Sequence, residues 1–239
     1  MKKYWVIFDM DGVISDTQKY HGEVELEILK SYGISTISPD NITTITIDWI
    51  GANFAGVQPK EWMKKLFDIH NKIDQFDIHK IEAEKNNLLL DKYQWWASIN
   101  FVAWAWNLIN ILSWSWKFIL AVVTASTRNC MLEVLNTLDI VNKFDELISI
   151  YDNDPKTNEP YISKWDPDVY KNIVEKYDLD NFVMIEDGAT GMNGAIKAGW
   201  KAIAVLGENN SSKFPQTVSQ HKDLSTLWVE EIVEILNNN

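Results

Sequence analysis

The chain has 239 residues, 46% of them apolar and 23% charged, the composition of a soluble globular protein with one large domain or a core and a smaller appendage. Its 22 Lys and Arg stand against 34 Asp and Glu, a net charge of −12 with no basic run, which argues against a nucleic-acid groove. Arg128 is the only arginine, so any phosphate must be met by Lys, hydroxyls, backbone amides or a metal.

In chain order, Tyr4 to Phe8 is a short continuous apolar run, predicted to be a strand buried on both faces. It is too short for a signal peptide, and Asp9 interrupts it. Residues 17 to about 95 carry helical stripes: Val24, Ile28 and Tyr32, ended by Gly33, then Trp62, Leu66 and Ile69. Tyr93 to Trp116 is 24 residues without a charge, six of them Trp. Its length would suit a membrane span, but Gln94, Asn100, Asn107 and Asn110 are costly in lipid. A buried helix plus connector is expected there instead.

Further strands are expected at Phe118 to Val123, Leu147 to Ile150, Phe182 to Ile185 and Ala202 to Leu206. Helical patterns separate them: one from about Arg128 (Met131, Val134, Leu135, Leu138), one at Tyr170 to Tyr177, and Thr190 to Ala198 closed by Gly199. Such alternation predicts a doubly wound α/β parallel sheet, with residues 17–96 as an inserted helical domain and 1–16 plus 97–239 as the core. The single cysteine, Cys130, allows no intrachain disulfide, reads as a small core-facing residue and fits a reducing cytoplasm.

Four clusters carry chemistry. In Phe8-Asp9-Met10-Asp11-Gly12, two carboxylates follow a buried strand, the edge where open α/β sheets bind ligands. If the chain is still extended there, both point one way and could hold a hard cation or divide nucleophile and acid roles; the alternative is a solvated turn rich in Asp and Gly. Thr124-Ala125-Ser126-Thr127 puts hydroxyls and free amides before a helix, which suits either a phosphate or plain capping. Lys164 precedes another helix; a lone loop lysine is ordinarily solvated. Glu186-Asp187-Gly188 ends a further strand with two more carboxylates, which suit a cation or cap a helix.

Together and in this order, the four clusters resemble the haloacid dehalogenase superfamily, from Phe8 to about Leu206. The resemblance implies a helical cap after the first motif and a Mg²⁺-dependent attack of Asp9 on phosphorus, giving an aspartyl-phosphate. Asp11 would be the general acid and base. Thr124, with Ala125 and Ser126, would bind the phosphoryl group, and Lys164 would neutralise charge. Asp9, Asp187 and the Asp11 carbonyl would ligate Mg²⁺, with Glu186 a further ligand or outer partner. All candidate ligands are oxygens, which favours Mg²⁺ over Zn²⁺. An acid role for Asp11 predicts a pKa raised by burial and its carboxylate neighbours.

Asp16-Thr17-Gln18-Lys19-Tyr20-His21 resembles the cap entry of the β-phosphoglucomutase and sugar-phosphatase branch, making Thr17 and His21 candidate substrate-side residues. Ala55 to Lys60 resembles the specificity loop of these caps, and Lys60 is its one basic candidate for a second phosphate. A phosphatase acting on a small phosphorylated metabolite, as a cytoplasmic monomer or homodimer, is therefore expected ahead of a phosphohexomutase. A receiver-type signalling domain and a silent binding protein are the readings from other classes. Two departures from the family pattern are Trp165 after Lys164, where Pro is usual, and Ala103-Trp104-Ala105-Trp106 in place of Pro-Gly.

Overall fold

The computed structural model describes residues 4–34, 44–47, 49, 59–70, 76–152, 164, 166–177, 181–207, 214 and 219–238. Its centre is a six-stranded, all-parallel sheet in the order β3-β2-β1-β4-β5-β6. The strands are β1 (Tyr4–Phe8), β2 (Phe118–Thr124), β3 (Glu146–Ser149), β4 (Phe182–Glu186), β5 (Lys201–Val205) and β6 (Ser219–His221). This is the predicted class, with one strand more than the apolar runs indicate.

The apolar runs form strands because helices cover both faces of the sheet. Val6, Phe8, Leu120, Val122, Val183 and Ile185 face one layer, while Trp5, Ile7, Ala121, Val123 and Met184 face the other. The first layer is built from α4 (Ala105–Ser113), α5 (Arg128–Thr137) and α8 (Val229–Asn237). The second is built from α6 (Pro167–Tyr177) and α7 (Ala189–Lys197).

Between β1 and α4, the described residues form three further helices: α1 (Gln18–Ser31), α2 (Pro59–Ile69) and α3 (Ile78–Trp95). Asp77 caps α3 by accepting from the His79 and Lys80 amides. Val24 and Ile28 of α1, Leu66 and Phe67 of α2, and Ile81 and Leu89 of α3 join the core cluster of the first layer. Residues 51–58, with most of the proposed specificity loop, lie outside the described residues. Lys60 falls in α2, but its side chain is not among those described.

The Trp-rich segment departs from expectation. It is the end of α3, a connector and α4, and among described residues no helix is long and apolar enough to cross a membrane. α4 buries Ala105, Leu108, Ile109 and Leu112. All six tryptophans of the segment, and Trp228 as well, are instead 52 to 83% exposed. The reason is position. Trp96 and Trp114 are C-caps of α3 and α4, and Trp104 and Trp228 are N-caps of α4 and α8. Caps lie off the buried stripe, and they are places that favour glycine or a short hydroxyl over an indole.

Trp104 carries φ +68, the left-handed region, and its side chain makes no capping hydrogen bond. That conformation costs an L-residue about 1–2 kcal/mol. Glycine adopts it freely but loses about 0.4–1 kcal/mol through the entropy of the unfolded chain. Trp104→Gly is therefore expected to stabilise the protein by roughly 0.5–1 kcal/mol. A urea melt measures this, and a lower midpoint would refute it.

Candidate active site

β1 lies between β2 and β4, where the direction of strand order reverses. Phe8 pairs with Val122 on one side and Ile185 on the other, so β2 and β4 end one or two residues beyond the level of β1. That register delivers Asp9, Thr124, Glu186 and Asp187 to one edge of the sheet.

The chain does not stay extended past Asp9. The Ile14 and Ser15 amides both donate to the Met10 carbonyl, at 2.9 and 3.0 Å, and Gly12 turns the chain at φ +93. The two carboxylates therefore meet different partners. Asp9 Oδ1 lies 2.8 Å from Lys164 Nζ and accepts from the Met10 amide at 2.7 Å. Asp11 Oδ1 accepts from the Thr17 hydroxyl at 2.5 Å, and Asp11 Oδ2 from Ser126 Oγ at 2.9 Å and Thr124 Oγ1 at 3.3 Å. The predicted phosphate-binding hydroxyls and the predicted acid thus form one network. Ala125, between them in sequence, packs on the second-layer core. Thr127, not Ser126, caps α5.

Lys164 is not the solvated loop residue that its surroundings in sequence suggest. It is 1% exposed, with Nζ 2.5 Å from Glu186 Oε2 as well as 2.8 Å from Asp9. Two buried contacts hold it there. The Tyr170 hydroxyl lies 3.2 Å from the Lys164 carbonyl and 3.1 Å from that of Gly191. Gly191 itself admits no side chain, since a Cβ there would stand 2.0 Å from Glu186 Oε2. Burial works against the Lys164 charge, but Asp9 and Glu186 outweigh it and hold its pKa above the usual lysine range.

Asp9, Glu186 and Asp187 form the acidic cluster, with one ligand oxygen from each lying within 4.8 Å of the others. Burial and the Asp9 charge push Glu186 and Asp187 well above the usual carboxylate range, and Lys164 offsets only part of this. Glu186 is occupied by Lys164 and by the Gly188 amide at 3.0 Å. A buried, all-oxygen set with uncompensated negative charge is the donor chemistry that fits a hard divalent cation.

Asp11 corrects an expectation. Burial pushes its pKa up, but His21 and the hydroxyl donors Thr17 and Ser126 pull it below the usual range instead of above it. His21 was one of the sequence candidates, and it sits in this network: Nε2 is 3.3 Å from Asp11 Oδ1 and 3.4 Å from Ser126 Oγ.

Sequence reasoning missed what lies behind His21. Lys85 of α3 places Nζ 3.3 Å from His21 Nδ1 and 3.8 Å from Glu25 Oε1, and both Lys85 and Glu25 are buried. No local sequence signal marks Lys85; only the packing of α1 against α3 reveals it.

A curated relative, the phosphorylated carbohydrates phosphatase of Thermotoga maritima, is 26% identical over 97% of both chains. Among solved structures, a haloacid dehalogenase hydrolase of family IA, variant 3, from Entamoeba histolytica superposes with a TM-score of 0.76 over the whole of both chains at 20% identity. The β-phosphoglucomutase of Clostridium difficile superposes with a TM-score of 0.73 over 99% of this chain and 98% of that one, at 22% identity. The sequence model of the haloacid dehalogenase-like hydrolases matches residues 6–205. With that match, the parallel sheet and the acidic edge it creates, the chain belongs to the haloacid dehalogenase-like hydrolases.

Proposed function

We propose that the chain is a Mg²⁺-dependent phosphatase that hydrolyses a small phosphate monoester, a sugar phosphate or similar metabolite, through an aspartyl-phosphate on Asp9. The observation that carries this is the Asp9 carboxylate at the strand switch point, held by buried Lys164 within the acidic cluster it forms with Glu186 and Asp187. The Thermotoga relative, named for phosphorylated carbohydrates, points to the same substrate class. In this reading residues 17–96 are the cap that selects substrate, and 1–16 with 97–239 are the catalytic core.

Asp9 Oδ2 attacks phosphorus, and Lys164 draws charge from Oδ1. Asp9, Asp187 and the Asp11 carbonyl are the residues that would hold Mg²⁺, which supplies positive charge for the phosphoryl oxygens when bound. Thr124 and Ser126 turn their hydroxyls from Asp11 to the phosphoryl group. That transfer removes two donors from Asp11 and brings an anion beside it, and both changes raise its proton affinity when the leaving oxygen needs a proton. Having given its proton to the leaving oxygen, Asp11 is the carboxylate that then takes a proton from the water that hydrolyses the phosphoaspartate.

A mutase needs a second cation for a second phosphate. Among the described residues near the site, Lys85 is engaged with Glu25, and Arg128 is held by Asp152 at 2.6 and 2.9 Å. Neither of these two cations is free to meet a second phosphate. A receiver-type domain is disfavoured by the nucleophile on the first strand and by the helices inserted after it.

The test is turnover of an aryl phosphate series with and without Mg²⁺. Turnover is expected only with the metal. Asp11→Ala is expected to slow poor leaving groups by roughly 10²–10⁴-fold and good ones far less. Equal losses across the series would remove the acid role from Asp11, and metal-independent turnover would remove the whole reading.

A further inference from the structure

Gln18, the first residue of α1, sits on the seam between the inserted helices and the sheet edge. Its side-chain amide nitrogen donates to Asp187 Oδ2 and lies 3.4 Å from the Asp11 backbone carbonyl oxygen. Those two residues supply two of the three positions assigned above to the cation. The space where amide and carboxylate meet exists because residue 12 is glycine. A Cβ on Gly12 would stand 2.1 Å from Asp187 Oδ2 and 2.7 Å from Gln18 Nε2.

Carboxylates that ligate a cation through one oxygen are commonly oriented by a hydrogen bond to the other, and loss of that partner weakens metal affinity. The donor at position 18 is neutral. A carboxylate there would add a further negative charge to a site already crowded by Asp9, Asp11, Glu186 and Asp187. An amide orients Asp187 without that repulsion.

We propose that Gln18 is a positioning residue of the cation site, contributed by the first inserted helix, which fixes the Asp187 carboxylate and the Asp11 carbonyl for ligation. Because the donor rides on α1, a shift of that helix relative to the sheet changes cation affinity, so the placement of the inserted helices and metal loading are coupled through this one side chain. The inference rests on the proposed reading that Asp9, Asp187 and the Asp11 carbonyl hold the cation.

The test is Mn²⁺ binding followed by electron paramagnetic resonance of the free ion, with Mg²⁺ as competitor. It uses the wild-type protein, Gln18→Met, Gln18→Ala and Asp187→Asn. Gln18 is exposed at the helix start, so both of its variants are expected to melt in cation-free buffer as the wild type does. The expected result is an affinity weaker by about tenfold or more in both Gln18 variants, with that melt unchanged. Unchanged or tighter binding would overturn the proposal, and tighter binding would mark the amide as a competitor for the cation's place. Asp187→Asn separates the two readings: if it binds Mn²⁺ as the wild type does, the cation site itself is misplaced, whatever Gln18 does.

Discussion

Asp9→Asn is expected to lower turnover by roughly 10⁴-fold or more while the protein remains folded and as stable as before. The amide keeps the shape of the carboxylate, and its oxygen retains the Lys164 and Met10 partners of Oδ1. What it loses is the nucleophile: an amide does not form the acyl-phosphate. Stability is expected to hold or rise in cation-free buffer, because the Asp9 charge is one cause of the raised pKa values of Glu186 and Asp187. A carboxylate with a raised folded pKa destabilises the native state as pH climbs past its unfolded value. Easing that shift returns stability above the ordinary carboxylate range. Single-turnover kinetics with melts at two pH values decide the matter. Residual turnover within tenfold of wild type would place the nucleophile elsewhere.

Much of this site was legible because its parts sit at the ends of apolar runs. β1, β2 and β4 announce themselves as strands, and Asp9, Thr124 and Glu186-Asp187 are where those runs stop. Other elements gave no such signal. The buried stripe of α3 is Ile81, Lys85, Leu89 and Tyr93, and a lysine within it hides the periodicity. β6 is only Ser-Gln-His, a strand made by pairing with β5 rather than by its composition. The burial of Lys164 is equally invisible locally, since it depends on Tyr170 and Gly191 from two different helices. Gln18 carries no signal of its own in the sequence, and it is exposed at the start of α1. Its partner Asp187 lies 169 positions away in the chain. The exposed tryptophans show the opposite failure. Hydrophobicity predicted burial for them, but Trp96, Trp104, Trp114 and Trp228 stand at helix caps, off the buried stripes of α3, α4 and α8.

Lys164→Met is expected to destabilise the protein by about 3–5 kcal/mol near neutral pH, the loss typical of one partner removed from a buried ion pair. Methionine preserves most of the aliphatic stem, so the effect isolates the charge. In wild type, Lys164 is the cation between Asp9 and Glu186, and its raised pKa keeps its contribution in place until pH climbs beyond the ordinary lysine range. Without it, Asp9, Glu186 and Asp187 face one another with no cation between them in a buried site. The already raised folded pKa values of Glu186 and Asp187 then rise further, so the variant folds best where those two are protonated. Its deficit should be small near pH 4.5, grow towards pH 8, and shrink again when a divalent cation is added at the higher pH. Paired urea melts at about those two values, with and without Mg²⁺, measure all three. A deficit independent of both pH and cation would mean that Lys164 stabilises by packing alone. Its assignment as the charge partner of the nucleophile would then fall with it.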